Sequence, residues 1–187
     1  SRYPDFAEVR TRLTGQDYRA LRFDHVILAA HSNQALSMLA DPSPTEKDIL
    51  GAIPYQENEA VLHTDASLLP RRKLAWAAWN YHLLPSQPDR AVVTYHMNRL
   101  QRLSAPHEFC VTLNHTRAIN PAKILRRITY HHPVYSPEAV AAQQRHGEIS
   151  GVNRTSYCGA YWGFGFHEDG VKSALAACKP FGKDLSS

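Results

Sequence analysis

The chain has 187 residues, 43% of them hydrophobic and 20% charged, with a net charge of +4. This is globular composition, neither disordered nor fibrous, and enough to bury one sizeable core. No run approaches the roughly 18 uninterrupted apolar residues of a membrane span, and Ser1-Arg2-Tyr3-Pro4-Asp5 lacks the basic-then-apolar order of a secretory signal, so the expected location is cytoplasmic.

Val9 to Leu13 and Tyr18 to Phe23 read as the strands of a hairpin turning at Gly15-Gln16-Asp17. "FDHVILAA" (23–30) then carries a continuous apolar run from Val26 to Ala30, the pattern of a parallel strand covered on both faces. Ser32 or Asn33 can cap a helix to about Ala40, which Asp41-Pro42 breaks. Ser43 caps a second helix, with Pro44 at its first position and Glu46 three residues past the cap.

From Tyr55 the pattern turns to β. "NEAVLHTD" (58–65), "LAWAAWNYHL" (74–83), "RAVVTYHM" (90–97), "EFCVTLNH" (108–115) and "ILRRITYHH" (124–132) are rich in β-branched and aromatic residues and separated by turn formers, which predicts an antiparallel sheet. Pro133 and Pro137 end it, and Ser136 caps a helix over Pro137 to His146. A strand from Thr155 to Ala160, an aromatic turn and a helix from Glu168 to Cys178 close the chain, stopped by Pro180 and Gly182.

The expected architecture mixes α+β and α/β. Strand-turn-helix units of doubly wound character at 1–50 and 151–187 flank an inserted sheet domain at 51–150. The chain does not start with methionine, and no domain signal precedes its hairpin, so a fragment of a longer protein is expected.

The closing stretch "YCGAYWGFGFHEDGVKSALAAC" (157–178) carries the densest chemistry. A strand that passes through glycines into a helix start presents unpaired backbone N–H groups and the positive end of the helix dipole, a site for negative charge. Gly159, Gly163 and Gly165 permit close approach, Tyr161, Trp162, Phe164, Phe166 and His167 offer flat surfaces, and Gly170 leaves the first helical turn bare. The same residues also fit a plainer role, with aromatics filling a seam and glycines serving the turn.

Gly159-Ala160, the aromatic turn and "HEDGVKSALAA" (167–177) resemble the closing motif of the flavin-containing amine oxidase superfamily. "FDHVILAAHSNQALSMLAD" (23–41) resembles that family's return from its FAD domain, and "YQENEAVLHTDASLLPRRKLAWAAWNYH" (55–82) is similar to a bacterial branch of predicted NAD/FAD-binding proteins. That branch is related to the flavoprotein domain joined to some cyclopropane fatty acid synthases. The resemblance implies an FAD-dependent oxidoreductase transferring a hydride from a carbon centre to flavin, with a small amine or an acyl lipid as substrate. It implies Gly159, Ala160, Tyr161 and Trp162 by the ribityl and pyrophosphate region, and His167, Glu168, Asp169, Gly170 and Val171 by the pyrimidine edge. Backbone donors are expected at Asp169 to Val171, while the Glu168 and Asp169 carboxylates face solvent or cap the helix. No glycine-rich cysteine segment for covalent attachment is found, so the flavin is expected to be noncovalent. The family's opening Gly-x-Gly-x-x-Gly is absent from the 187 residues, so FAD binding by this chain alone is expected to be weak or absent.

Other chemistries find less support. Adjacent strands could gather His82, His96 and His131 on one sheet face, but no close ligand spacing accompanies them and no metal is expected. Cys110, Cys158 and Cys178 are odd in number without CxxC spacing, and are expected to be reduced and mostly buried. Arg71-Arg72-Lys73, Arg99 with Arg102, and Arg126-Arg127 read as solvated faces, with attraction to anionic lipid, as a peripheral contact, or to nucleotide phosphate as the functional alternative; no nucleic-acid partner is expected. Trp79 and His82 are candidate catalytic residues because their strand is expected to border the substrate cavity. The competing function is a noncatalytic module whose aromatic-lined sheet binds a lipid or a protein.

Overall fold

The computed structural model describes residues 1–12, 14, 17–85 and 90–186. In chain order the elements are β1 (Ala7–Thr11), β2 (Arg19–Phe23), β3 (Val26–Leu28), α1 (Ser32–Met38), α2 (Pro44–Gly51), β4 (Tyr55–His63) and β5 (Trp79–Tyr81). There follow β6 (Val93–His96), α3 (Met97–Leu100), β7 (Cys110–Leu113), β8 (Ile124–Pro133), α4 (Pro137–Gln144), β9 (Thr155–Tyr157) and α5 (His167–Cys178). The result is a mixed α/β protein with an antiparallel sheet. It divides into a central unit, Gln56–His132, and a terminal unit assembled from Ser1–Tyr55 and Pro133–Ser187. Residues 133–150, grouped with the sheet in the sequence reading, fall in the terminal unit.

In the terminal unit β1 and β2 pair antiparallel from Ala7 opposite Phe23 to Thr11 opposite Arg19. The expected strand end Leu13 and turn residues Gly15 and Gln16 lie outside the described residues. β3 pairs parallel with β9, Val26 opposite Thr155. The expectation of a strand buried on both faces is corrected: among the described residues β9 is its one neighbour, and Ile27 is 38% exposed. α1 starts at Ser32 itself, and its N-cap is His31, one residue before the first expected cap. The Ser32 N–H donates to Tyr55 Oη at 2.8 Å, so Ser32 is drawn inward and is fully buried.

The start of α2 follows its local code. Ser43 Oγ accepts from the Glu46 N–H, and the Glu46 carboxylate accepts from the Ser43 N–H. Glu46 does more, being 98% buried, ion-paired to Arg2 and hydrogen-bonded by Tyr157 Oη at 2.6 Å. Around it Ala35, Ile49, Leu50, Ala142, Ile149 and Tyr157 form the unit's apolar core.

The central unit is a five-stranded sheet ordered β5-β6-β7-β4-β8, in which the pairs β5–β6, β6–β7 and β4–β7 are antiparallel. β5 is shorter than the expected strand over 74–83, because residues 73–75 coil into a 3-10 turn and Asn80 folds back to hold the Ala77 N–H and carbonyl. Register places Asn80, Thr94, Thr112 and Val61 in one row across the sheet, with His96, Cys110 and His63 in the next row on the same face. All seven are buried. Val61 packs there with Leu68 and Ile119. The other face carries Trp79, Tyr95, Val111 and Leu62, and Trp79 is 60% exposed.

This topology overturns the gathering of three histidines. His82 follows β5 and His131 lies on β8, the opposite edges of the sheet. His96 bonds Glu108 at 2.7 Å and His131 lies 3.8 Å from Glu57. Among the described residues no group of three or more His, Cys, Asp or Glu is placed to hold a metal.

Candidate functional site

Strand β9 is wholly buried and delivers the chain to Gly159, where a short 3-10 turn (Ala160–Trp162) and α5 begin the candidate site. Ser173, on the second turn of α5, clips the strand end. Its Oγ accepts the Gly159 N–H at 2.9 Å and lies 3.1 Å from the Gly159 carbonyl and 2.9 Å from that of Gly170. From α4, Gln143 donates to the carbonyls of Tyr161 and Gly163 at 2.8 and 2.7 Å. The sequence reading passed over both side chains. A polar residue one helical turn after Gly170 was the available signal for Ser173.

The aromatic residues divide. Tyr161 is 97% buried with Ile53 and Ala139, and its ring crowds the Gly159 Cα, so a Cβ there would stand 2.5 Å from a ring carbon. Trp162 packs on His146 with centroids 4.2 Å apart. Burial pushes the Tyr161 hydroxyl up and lowers His146, whose Nε2 meets the Tyr157 carbonyl at 2.8 Å. These side chains fill the seam, whereas Phe164 and Phe166 are 67% and 63% exposed.

At the helix start, the Asp169 carboxylate accepts from the N–H groups of Phe164 and Phe166 at 2.9 and 3.1 Å. Gly163 is a glycine because a Cβ there would strike that carboxylate. The N–H groups of Asp169 and Gly170 both donate to the Phe166 carbonyl. Of the leading donors, those of His167 and Glu168 have no acceptor among the described residues. Both residues are exposed, and the Glu168 side chain points to Lys172 at 3.7 Å. Val171 is 40% exposed.

Gly170 is different from the other glycines of the turn. A Cβ on it would meet nothing closer than Ala160, at an ordinary 3.9 Å. Glycine inside a helix costs about 0.5–1 kcal/mol relative to alanine, and the chain's own packing does not demand it here. Nearby, the Tyr135 hydroxyl is buried with no hydrogen-bond partner among the described residues. Trp79 and His82 belong to the central unit, where Trp79 stacks edge-on with Tyr95 at 5.8 Å and His82 Nε2 meets Thr94 Oγ1 at 2.9 Å, on the opposite face.

No protein-family model matches the sequence, and no curated protein matches it. Solved structures do. The chain superposes on a CLA-producing fatty acid isomerase from P. acnes with a TM-score of 0.61 at 16% identity, over 96% of this chain and 45% of that one. It superposes on cyclohexylamine oxidase from Brevibacterium oxydans IH-35A with a TM-score of 0.58 at 14% identity, over 97% and 47% of the two chains. The chain shares their fold. It spans about half the length of these structures, 45% and 47%. Among the described residues no helix is long and apolar enough to cross a membrane, and the three cysteines are free, with Cys110 and Cys158 buried.

Proposed function

We propose that this chain is the later part of an FAD-dependent oxidoreductase of amine oxidase type. In this reading the terminal unit completes the FAD-binding domain and the central unit contributes the substrate-binding sheet. Gly170 carries the proposal: a helix start that is exposed, has free leading N–H groups and bears a glycine its own neighbours do not require is shaped for a ligand. The likeness of the closing motif to the amine oxidase superfamily and the shared fold support it.

The fit is uneven along the turn. His167, Glu168 and Gly170 suit a pyrimidine edge, with the two free N–H groups and the helix dipole stabilising negative charge. The Asp169 carboxylate does not oppose that charge from the helix start, being committed to Phe164 and Phe166. Gly159 and Tyr161 offer less, since the Gly159 N–H is held by Ser173 and the Tyr161 ring is buried. Bound FAD supplies the redox chemistry, accepting a hydride from a carbon centre of an amine or acyl-lipid substrate. The pyrophosphate anchor is then supplied by sequence outside these residues.

The test is flavin content. The complete gene product should purify yellow, and Gly170→Val, which puts a branched side chain on the bare helix face, should lower its bound FAD at least tenfold at unchanged secondary structure. A colourless product, or a Gly170→Val protein with full flavin content, refutes the assignment.

A further inference from the structure

The buried face of the central sheet holds a hydrogen-bonded chain of side chains that the flavin reading leaves unused. The Asp65 N–H donates to His63 Nδ1 at 3.1 Å, and His63 Nε2 meets Thr112 Oγ1 at 2.7 Å. Thr112 Oγ1 lies 2.8 Å from Thr94 Oγ1, and Thr94 Oγ1 lies 2.9 Å from His82 Nε2. His63, Thr112 and Thr94 are fully buried.

The direction of this chain is fixed at its inner end. A backbone amide can only donate, so His63 Nδ1 must accept and the His63 proton sits on Nε2. His63 therefore donates to Thr112. The Thr112 hydroxyl hydrogen then has one acceptor among the described residues, Thr94 Oγ1, and the Thr94 hydroxyl hydrogen in turn has His82 Nε2. His82 Nε2 is the terminal acceptor, which leaves its proton on Nδ1. Free imidazole side chains prefer the opposite tautomer, so the chain imposes the minor form. It cannot conduct a proton through, because the amide that closes it has none to release. Its capacity is to orient.

His82 is half-buried, and its Nδ1 has no hydrogen bond to a described residue. We propose that His63, Thr112 and Thr94 are positioning residues that hold His82 as a neutral imidazole protonated on Nδ1, and that this N–H is the donor for the carboxylate of an acyl substrate. The substrate half of this statement rests on the oxidoreductase reading; the tautomer does not. A neutral donor suits a carboxylate and offers nothing to an ammonium group. Burial and the neighbouring His115, whose ring centroid lies 6.0 Å away, both lower the proton affinity of His82, which keeps it neutral near physiological pH. The same holds for His63, which burial lowers with Lys123 acting alongside and Asp65 opposing. An acyl substrate is thereby favoured over an amine.

Imidazole nitrogen NMR on the histidine-labelled chain near neutral pH reads the tautomer directly, with His82→Asn assigning the signal by its loss. His82 should show a protonated Nδ1 and an unprotonated Nε2. Thr94→Val should return the majority to Nε2–H, and Thr94→Ser, which keeps the hydroxyl, should not. Decanoate should shift the Nδ1 resonance, and cyclohexylamine at the same concentration should leave it in place. A wild-type His82 protonated on Nε2, or a Thr94→Val protein with unchanged tautomer, overturns the positioning role. An Nδ1–H signal that decanoate does not move, or that cyclohexylamine moves equally, overturns the carboxylate assignment. A decanoate shift in a protein whose complete gene product carries no flavin leaves the donor site standing and removes the oxidoreductase reading.

Discussion

Two buried polar arrangements, the Glu46 cluster of the terminal unit and the His63–His82 file of the central unit, hold their groups by opposite means. The terminal unit keeps a charge, Glu46, and surrounds it with Arg2, Tyr157 and the Ser43 N–H. The central unit also buries a carboxylate, Asp65, held by the Asn120 and Ser67 N–H groups and Lys123, but beside it threads neutral groups into a directed file from His63 to His82. An ion pair is strong only while both partners remain, because a lone buried charge has no water to fall back on. A neutral file loses less when cut, but its polarity carries information from one end to the other.

Removing a partner from each arrangement sharpens that contrast. Arg2→Ala leaves Glu46 buried without its cation and should cost about 3–5 kcal/mol in urea unfolding. Its pH signature is distinctive. Burial alone would raise the Glu46 carboxyl, but hydrogen bonds from Arg2, Tyr157 and the Ser43 N–H outweigh it and hold the group near about 2, against an ordinary 4.5. A folded-state value below the unfolded one means that protonation favours unfolding. The stabilisation is therefore complete above about pH 4.5 and is lost as pH falls toward about 2, and Arg2→Ala should flatten that part of the stability profile.

Cutting the neutral file should cost less. Thr112→Val strands the His63 Nε2–H and should lower stability by about 1–3 kcal/mol, measured by the same unfolding curves. If it equals Arg2→Ala, the contrast between the two arrangements is lost. Ser173→Ala, which frees the Gly159 N–H at the candidate site, should cost about 1 kcal/mol and broaden amide signals around Gly159. The smallest effect has the opposite sign. Gly170→Ala should stabilise the chain by about 0.5–1 kcal/mol while weakening flavin binding in the complete protein, a split that an ordinary packing glycine would not show.

What the sequence made legible was local. Ser43, Pro44 and Glu46 announce the start of α2 within four positions, and the Ser136 cap of α4 is read in the same way. The second role of Glu46 was hidden because its partner lies 44 residues away. β5 was overestimated because an apolar run cannot reveal that Asn80 will satisfy the Ala77 backbone and end the pairing. The histidines were misplaced together because strand order, not alternation, separates the sheet edges. At the turn, glycine and aromatic spacing marked the right stretch, but which rings lie buried depends on α4 and on Ile53, neither adjacent in sequence.

The parallel pairing of Val26 with Thr155 also sets a timetable. On the ribosome the first stretch of the terminal unit emerges long before its other strand exists, and the whole central sheet is synthesised in the interval. Long-range parallel pairing forms slowly, whereas an antiparallel sheet continuous in sequence can close as soon as it is exposed. The nascent chain should thus acquire its inner portion before β3 can meet β9, and early release by a stop codon before Thr155 should leave that edge of β3 open and yield a product prone to aggregate through it.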